Sequence, residues 1–309
     1  GPRLTGSPGF MRAANWAKDE LTKMGLVNAR LEPWGDFGKG WQQEKCYVAM
    51  TAPYYAPLIA IPRAWTGSTP GKRSLTGSIV LVKAKDSTEL EQYAGQLKGK
   101  IVMLWSNAEL KPSFDPDGNR YTDEKLAEMA NAEPRTGRNN GQRMDSTQRR
   151  AMMSRFALQR KMNEFLLKEK PALVLSMNAS GNDGTVFVSG GGQYAKDAEE
   201  APAMVMLSSD DYLRLQRLIE AGEKVELEAE VRTKFFTDDI KGYNVIAEIP
   251  GSDPSLKDEI VMLGGHLDSW HAATGATDNA AGCAVMMEAV RLLQATGLKP
   301  RRTIRIALW

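Results

Sequence analysis

Three stretches near one end of the chain follow one another in order: an apolar run, "DEIVMLGGHLDS", a helix-like run, "AAGCAVMMEAVRLLQATG", and a second apolar run, "RTIRIALW". This order constrains the fold more than any other feature. Two strands joined by a helix are joined by a crossover, and a crossover makes them parallel. Gly297 stops the helix and Pro300 follows it. "YNVIAEIPG", just upstream, reads as a further strand. The expected architecture is α/β, on a mixed, mostly parallel sheet flanked by helices.

The first of those strands ends in polar residues. His266 and Asp268 lie at its C-terminal end, where open α/β sheets bind their ligands. Positions two apart on an extended strand point to the same side. An imidazole there can bind a metal through one nitrogen while a neighbouring carboxylate fixes its other N–H. Asp278 closes the following loop, just before the helix, and can face back toward His266. His plus carboxylate suits zinc. A His-x-Asp pair at a strand end also serves as a purely structural hydrogen-bonded pair, and spacing alone does not separate the two. Gly264, Gly265, Gly275 and Gly282 let backbone approach closely, and Gly282, in the first helical turn, reads as serving packing or access. His271 reads as a solvated loop residue or a substrate contact. "DPDGN", Asp115–Asn119, looks like the start of a calcium loop, but Arg120 and Leu126 stand where a glycine and an acid are needed, so it reads as a turn. No P-loop, dinucleotide fingerprint or G-x-S-x-G elbow is present.

Upstream, residues 7–24 read as a helix. Ser7 is its cap and Pro8 its first position, Phe10, Ala14, Ala17, Leu21 and Met24 form one apolar stripe, and Gly25 is its stop. Strand-like stretches follow at Ala29–Glu32 and Cys46–Met50. At Pro53 the chain turns rich in Pro, Gly and Ser and crosses into a second unit. That unit has expected strands at Ser78–Lys83, Lys100–Trp105 and Ala172–Met177, a helix in "SSDDYLRLQRLIEAG", and a strictly alternating strand in "VELEAEV". After Asp238 the first texture returns. The expected division is therefore one α/β domain, residues 1–54 and 238–309, interrupted by a β-rich domain, 55–237, with a helical excursion near 120–170. Arg135–Lys161 holds seven arginines and one lysine against a single acid, Asp145. It reads as a solvated face, or as a contact for an acidic partner.

The net charge of +2 makes no case for a nucleic-acid or membrane partner. No apolar run reaches the roughly 20 residues of a membrane helix. The two cysteines, Cys46 and Cys283, are expected to sit reduced in packed sites. The chain opens on "GPRLTGSPG" and stops on "TIRIALW", and reads as a segment of a longer polypeptide. The expected location is periplasmic or secreted, with any leader outside this chain.

Taken whole, "GGHLDSW…GATDNAAG" closely resembles the co-catalytic dizinc exopeptidases, the family of bacterial leucyl aminopeptidases, aminopeptidase Y, carboxypeptidase Q and the glutamate carboxypeptidases. "GPRLTGSPG" followed by a helix resembles the start of their catalytic domain. "LKGKIVML" and "APAMVMLSSDDYLRL" resemble phrases of their inserted protease-associated domain. The resemblance implies that His266 ligates one zinc, that Asp278 bridges two Zn2+ ions, and that Asp268 acts in catalysis by holding His266. It also implies a cis peptide between Asp278 and Asn279, and a general base and remaining ligands that lie outside this chain. The implied reaction is hydrolysis of peptide substrates by metal-activated water. "HLDSW" is close to carboxypeptidase Q, and "TDN" at Thr277–Asn279 is closer to bacterial aminopeptidases. An aminopeptidase is expected, with a carboxypeptidase Q-like enzyme or a non-catalytic, transferrin-receptor-like binding protein as alternatives. By itself the 309-residue chain is expected not to hydrolyse peptides, and to expose apolar surface along "TIRIALW".

Overall fold

The computed structural model describes all residues except 85, 112, 113, 115, 117, 133–144, 179, 182 and 183. Asp115 and Asp117 of the expected turn, and most of the arginine-rich stretch before residue 145, lie outside the described residues.

The helices and strands build two sheets. The strands are β1 (Val27–Asp36), β2 (Gly40–Ala52), β3 (Ala56–Pro57), β4 (Ala60–Pro62), β5 (Leu75–Val82), β6 (Ile101–Leu104), β7 (Leu173–Met177), β8 (Met204–Leu207), β9 (Glu226–Phe236), β10 (Lys241–Ile249), β11 (Ile260–Gly265) and β12 (Thr303–Leu308). The helices are α1 (Pro8–Lys23), α2 (Ser87–Glu91), α3 (Asp123–Ala130), α4 (Ser146–Glu169), α5 (Ser209–Glu220) and α6 (Gly282–Ala295).

The smaller sheet has the order β1-β10-β12-β11. β11 and β12 are parallel, from Ile260 opposite Thr303 to Gly265 opposite Leu308, as the strand–helix–strand order requires. The other two pairings are antiparallel. The sheet is mixed as expected, but its parallel share is smaller than the sequence implies, because among these strands only β11 and β12 are joined by a crossover helix. α1 forms where the apolar stripe places it. Ser7 Oγ accepts from Phe10 N at 3.2 Å, and Phe10, Ala14, Ala17 and Leu21 are buried. They share one core with Cys283, Met287 and Val290 of α6 and with Val245, Ala247, Ile249, Ile306 and Leu308. Both helices thus lie on the face formed by every second residue of β10 and β12. On the opposite face Arg305 Nε donates to Glu248 Oε1 at 2.8 Å.

The larger sheet has the order β3-β2-β9-β5-β6-β7-β8-β4. Its centre, β5-β6-β7-β8, is parallel. α5, capped by Ser208, buries Tyr212, Leu213 and Leu215 against one face with Ile101, Met103, Leu173 and Leu175. Met162, Phe165 and Leu166 of α4 pack on the other, with Val102 and Val174. The alternating strand keeps its period, with Leu227, Ala229 and Val231 fully buried. In the remainder of the basic stretch, Arg149, Arg150, Arg160 and Lys161 are exposed on α4.

Two expectations are corrected here. β2, grouped from its sequence with the first unit, is a strand of the larger sheet, paired with β9 from Gly40 opposite Phe236 to Ala52 opposite Glu226. The closing run "TIRIALW" is not an exposed edge. β12 has a partner on each side, and Ile306, Ala307 and Leu308 are buried while Trp309 is exposed. Exposed apolar residues of this part of the fold include Ile260, Val261 and Met262 of β11, and Val285 and Leu292 of α6.

Candidate metal centre

The candidate residues collect just past the C-terminal end of β11. The strand stops at Gly265, and His266 begins the segment that leaves it. Its ring stands between two carboxylates. Nδ1 is 3.0 Å from Asp268 Oδ1, and Nε2 is 2.9 Å from Asp278 Oδ1. The H-x-D spacing therefore places both side chains together, although they lie beyond the strand. The loop that follows brings Asp278 back to the ring through an irregular turn, Ala276–Ala281, where Asp278 and Asn279 leave helical geometry. The Asp278–Asn279 peptide is cis. Gly282 permits this packing, since a Cβ on it would strike the Asn279 amide. That amide and the Cys283 thiol lie 3.4 and 3.2 Å from the His266 carbonyl oxygen.

The donor set fits zinc in kind. One imidazole nitrogen and one carboxylate oxygen converge on a single point, and the other ring nitrogen is engaged by a second carboxylate. Asp268 approaches the far side of the ring from Asp278. For this reason no group of three metal-binding side chains converges on one point among the described residues. The centre offers two protein ligands from this segment, where a zinc ion takes three or four.

Sequence reasoning missed two further neighbours. Thr5 Oγ1 donates to Asp268 Oδ2 at 2.7 Å. Arg3, buried, donates from Nε to the Leu267 carbonyl at 2.7 Å and from Nη2 to the Gly275 carbonyl at 2.9 Å. The only local signal was a set of polar residues in a tight "GPRLTGSPG" turn, and nothing in that turn names its distant partners.

His271 corrects its reading as a wet loop residue. Its ring is half-buried, edge-on to Trp41 at 5.0 Å between centroids, and Nε2–H donates to the Pro62 carbonyl at 2.6 Å. The loop after Asp268 is thereby tied to β4 of the larger sheet. Nδ1 is buried without a partner. Burial pushes the His271 pKa below the ordinary imidazole range, against the smaller opposing effect of the Pro62 hydrogen bond. A depressed folded-state pKa means that the folded chain binds fewer protons than the unfolded one. This contribution to stability is complete above the unfolded value of about 6.5 and is lost as pH falls from there toward the lower folded value. Thermal unfolding should therefore shift down between pH 7.5 and pH 5 more steeply in the parent than in His271→Gln. Parallel slopes would remove His271 from the acid response.

Both cysteines are free. Burial drives the Cys46 thiol up to about 12 and raises Cys283 as well, which keeps each as an unreactive packed thiol.

Residues 244–309 match the model of Peptidase family M28. Carboxypeptidase Q of Bos taurus is 24% identical over 311 residues, covering all of this chain and 55% of that protein. Leupeptin-inactivating enzyme 1 of Streptomyces exfoliatus is 38% identical over 68 residues, 22% of this chain and 15% of that protein. Among solved structures, a Peptidase M28 precursor from Shewanella amazonensis superposes with a TM-score of 0.62 at 24% identity, covering all of this chain and 60% of that one. A zinc aminopeptidase from Bacillus subtilis gives 0.55 at 15% identity, covering all of this chain and 57% of that one. The chain thus spans little more than half the length of the relatives that it matches throughout. The family match thus lies over the segment that carries His266, Asp268 and Asp278, and the chain is similar along its whole length to carboxypeptidase Q.

Proposed function

We propose that this protein is a zinc-dependent exopeptidase that removes amino-terminal residues from peptides. The observation that supports this reading best is the placement of the His266 ring between Asp278, at 2.9 Å from Nε2, and Asp268, at 3.0 Å from Nδ1. His266 and Asp278 would hold zinc. The Asp278 side chain is 79% exposed, which suits a carboxylate shared between two ions. When bound, zinc lowers the pKa of water and polarises the peptide carbonyl. The chain's own contribution is orientation. Asp268 accepts a hydrogen bond from Nδ1–H, which would leave the Nε2 lone pair free for a cation and raise its basicity. In this reading the larger sheet is the inserted protease-associated domain, the substrate is a peptide, and the protein works in the periplasm or outside the cell. No described helix is long and apolar enough to cross a membrane.

A second reading, removal of carboxy-terminal residues, is favoured by the alignment with carboxypeptidase Q along the whole chain. The zinc-loaded protein should be offered a short peptide with both ends free, the same peptide N-acetylated, and the same peptide C-amidated, with products read by mass. Stepwise loss from the amino end, abolished by acetylation and indifferent to amidation, is expected. Loss from the carboxy end of the acetylated peptide would replace the first reading with the second. Bound zinc with no cleavage of any of the three would leave a non-catalytic binding protein.

A further inference from the structure

We propose that the turn Arg3–Thr5 is a positioning element of the metal centre. It would set the orientation of the Asp268 carboxylate and the separation of His266 from Asp278. This rests on the metal-site reading above and extends it to residues more than 260 positions away in the chain.

Thr5 acts on Asp268. The Asp268 carboxylate has one oxygen against His266 Nδ1, and the hydroxyl of Thr5 donates to the other at 2.7 Å. A carboxylate held at one oxygen can swing about its χ2 axis, whereas one held at both has a single orientation. With Asp268 fixed in this way, the imidazole plane is fixed too, and with it the direction of Nε2. Thr5 can do this because its own backbone cannot shift. Leu4 is buried in the cluster with Trp41 and Trp65, Ser7 N donates to the Leu4 carbonyl at 2.9 Å, and the Ser7 side chain caps α1.

Arg3 acts on the backbone. Leu267 lies between His266 and Asp268, and its carbonyl takes Arg3 Nε–H at 2.7 Å. Gly275 opens the turn that carries Asp278, and its carbonyl takes Nη2–H at 2.9 Å as well as Ala280 N–H at 3.0 Å. Nη1 reaches the Thr274 carbonyl at 3.1 Å. The main chain of Arg3 is tied in turn to Ser269. Its N–H donates to Ser269 Oγ, and its carbonyl accepts from Ser269 N–H, both at 3.0 Å. One planar guanidinium thus bridges the segment that presents His266 and the turn that presents Asp278. Only a rigid fork can do so, because a lysine ammonium is a point donor on a flexible stem. The packing is close enough that a Cβ on Gly275, which sits at φ +66°, would meet Arg3 Nη2 at 2.7 Å and Ser269 Oγ at 2.6 Å.

The test uses Thr5→Val, Thr5→Ser and Arg3→Lys in the full chain. Two quantities are read: the dissociation constant for Zn2+ alone, by competition with a chromophoric chelator, and the His266 Nδ1–H resonance of the metal-free protein by NMR. Thr5→Val keeps the shape and removes the donor. It should weaken zinc binding about 10-fold, in the range of outer-shell changes, and should shift or broaden the Nδ1–H resonance. Thr5→Ser should restore both. Arg3→Lys should weaken zinc binding by about 10- to 100-fold. Unchanged affinity and resonance in Thr5→Val, or equal damage in Thr5→Ser, overturns the role of the hydroxyl. Parent-like affinity in Arg3→Lys overturns the bridge. If Arg3→Lys fails to fold, the Thr5 pair decides. Failure of the metal reading itself shows separately, as parent-like zinc binding by His266→Ala, and the resonance comparison still tests the positioning.

Discussion

His266→Ala and Asp278→Ala are each expected to remove most zinc affinity, by more than the roughly 100-fold that bounds the loss of an outer-shell partner. Each takes away one of the two donor atoms that meet 2.9 Å apart at the mouth of β11. No other His, Cys, Asp or Glu among the described residues completes a metal-binding group there. Asp268→Asn should cost less, about 10- to 100-fold. An amide cannot accept the Nδ1 proton as strongly as a carboxylate does, but the ring and its Nε2 stay in place. The order of the three variants is therefore as informative as their size. Metal content after dialysis and the zinc dissociation constant measure it. Asp268→Asn falling below His266→Ala would mean that Asp268 is itself a ligand. Equal zinc affinity in all three and the parent would return the cluster to a structural hydrogen-bonded group.

Trp41→Ala should destabilise the chain by about 3–5 kcal/mol. Trp41, in β2, is fully buried in one cluster with Leu4 of the amino-terminal turn and with Ala64 and Trp65, which follow β4. A buried tryptophan hides about 150–250 Å2, worth about 4–6 kcal/mol at 25 cal/mol per Å2, so the lost burial alone reaches this range. The hydrogen bond contributes less. Trp41 Nε1–H donates to the Thr66 carbonyl at 2.9 Å, and that carbonyl also accepts from Thr233 Oγ1 at 2.8 Å, so it keeps a partner when Trp41 is gone. Trp41→Phe, which keeps most of the volume, should cost only about 1 kcal/mol. Urea unfolding of the two variants separates the effects. Equal losses would show that the indole N–H, and not the packing, holds this cluster together. Because the His271 ring rests edge-on against Trp41, the alanine variant should also loosen the loop that follows Asp268.

What the sequence determined by itself is local. The stripe of Phe10, Ala14, Ala17 and Leu21 with Ser7 and Pro8 at its head specified α1, because period and caps act within a few residues. The same holds for α5 and for the alternation of Leu227, Ala229 and Val231. The crossover order specified that β11 and β12 run parallel, and the H-x-D spacing placed Asp268 beside His266. What only the tertiary structure decided are pairings between residues far apart in the chain. β2 has the composition of the unit before it, yet its ladder partner is β9, so no change of texture at Pro53 could assign it. β12 reads as an exposed end and is an inner strand, because strand order depends on which neighbours dock on each side. His271 reads as a loop residue and is enclosed by Trp41 and Pro62, which local pattern cannot bring to it. Arg3 and Thr5 look like ordinary turn residues until the packed chain sets them against Leu267, Gly275 and Asp268. Hydrogen bonds of that kind are selected by the burial of the whole core, which brings their partners within 3 Å only after the chain has folded.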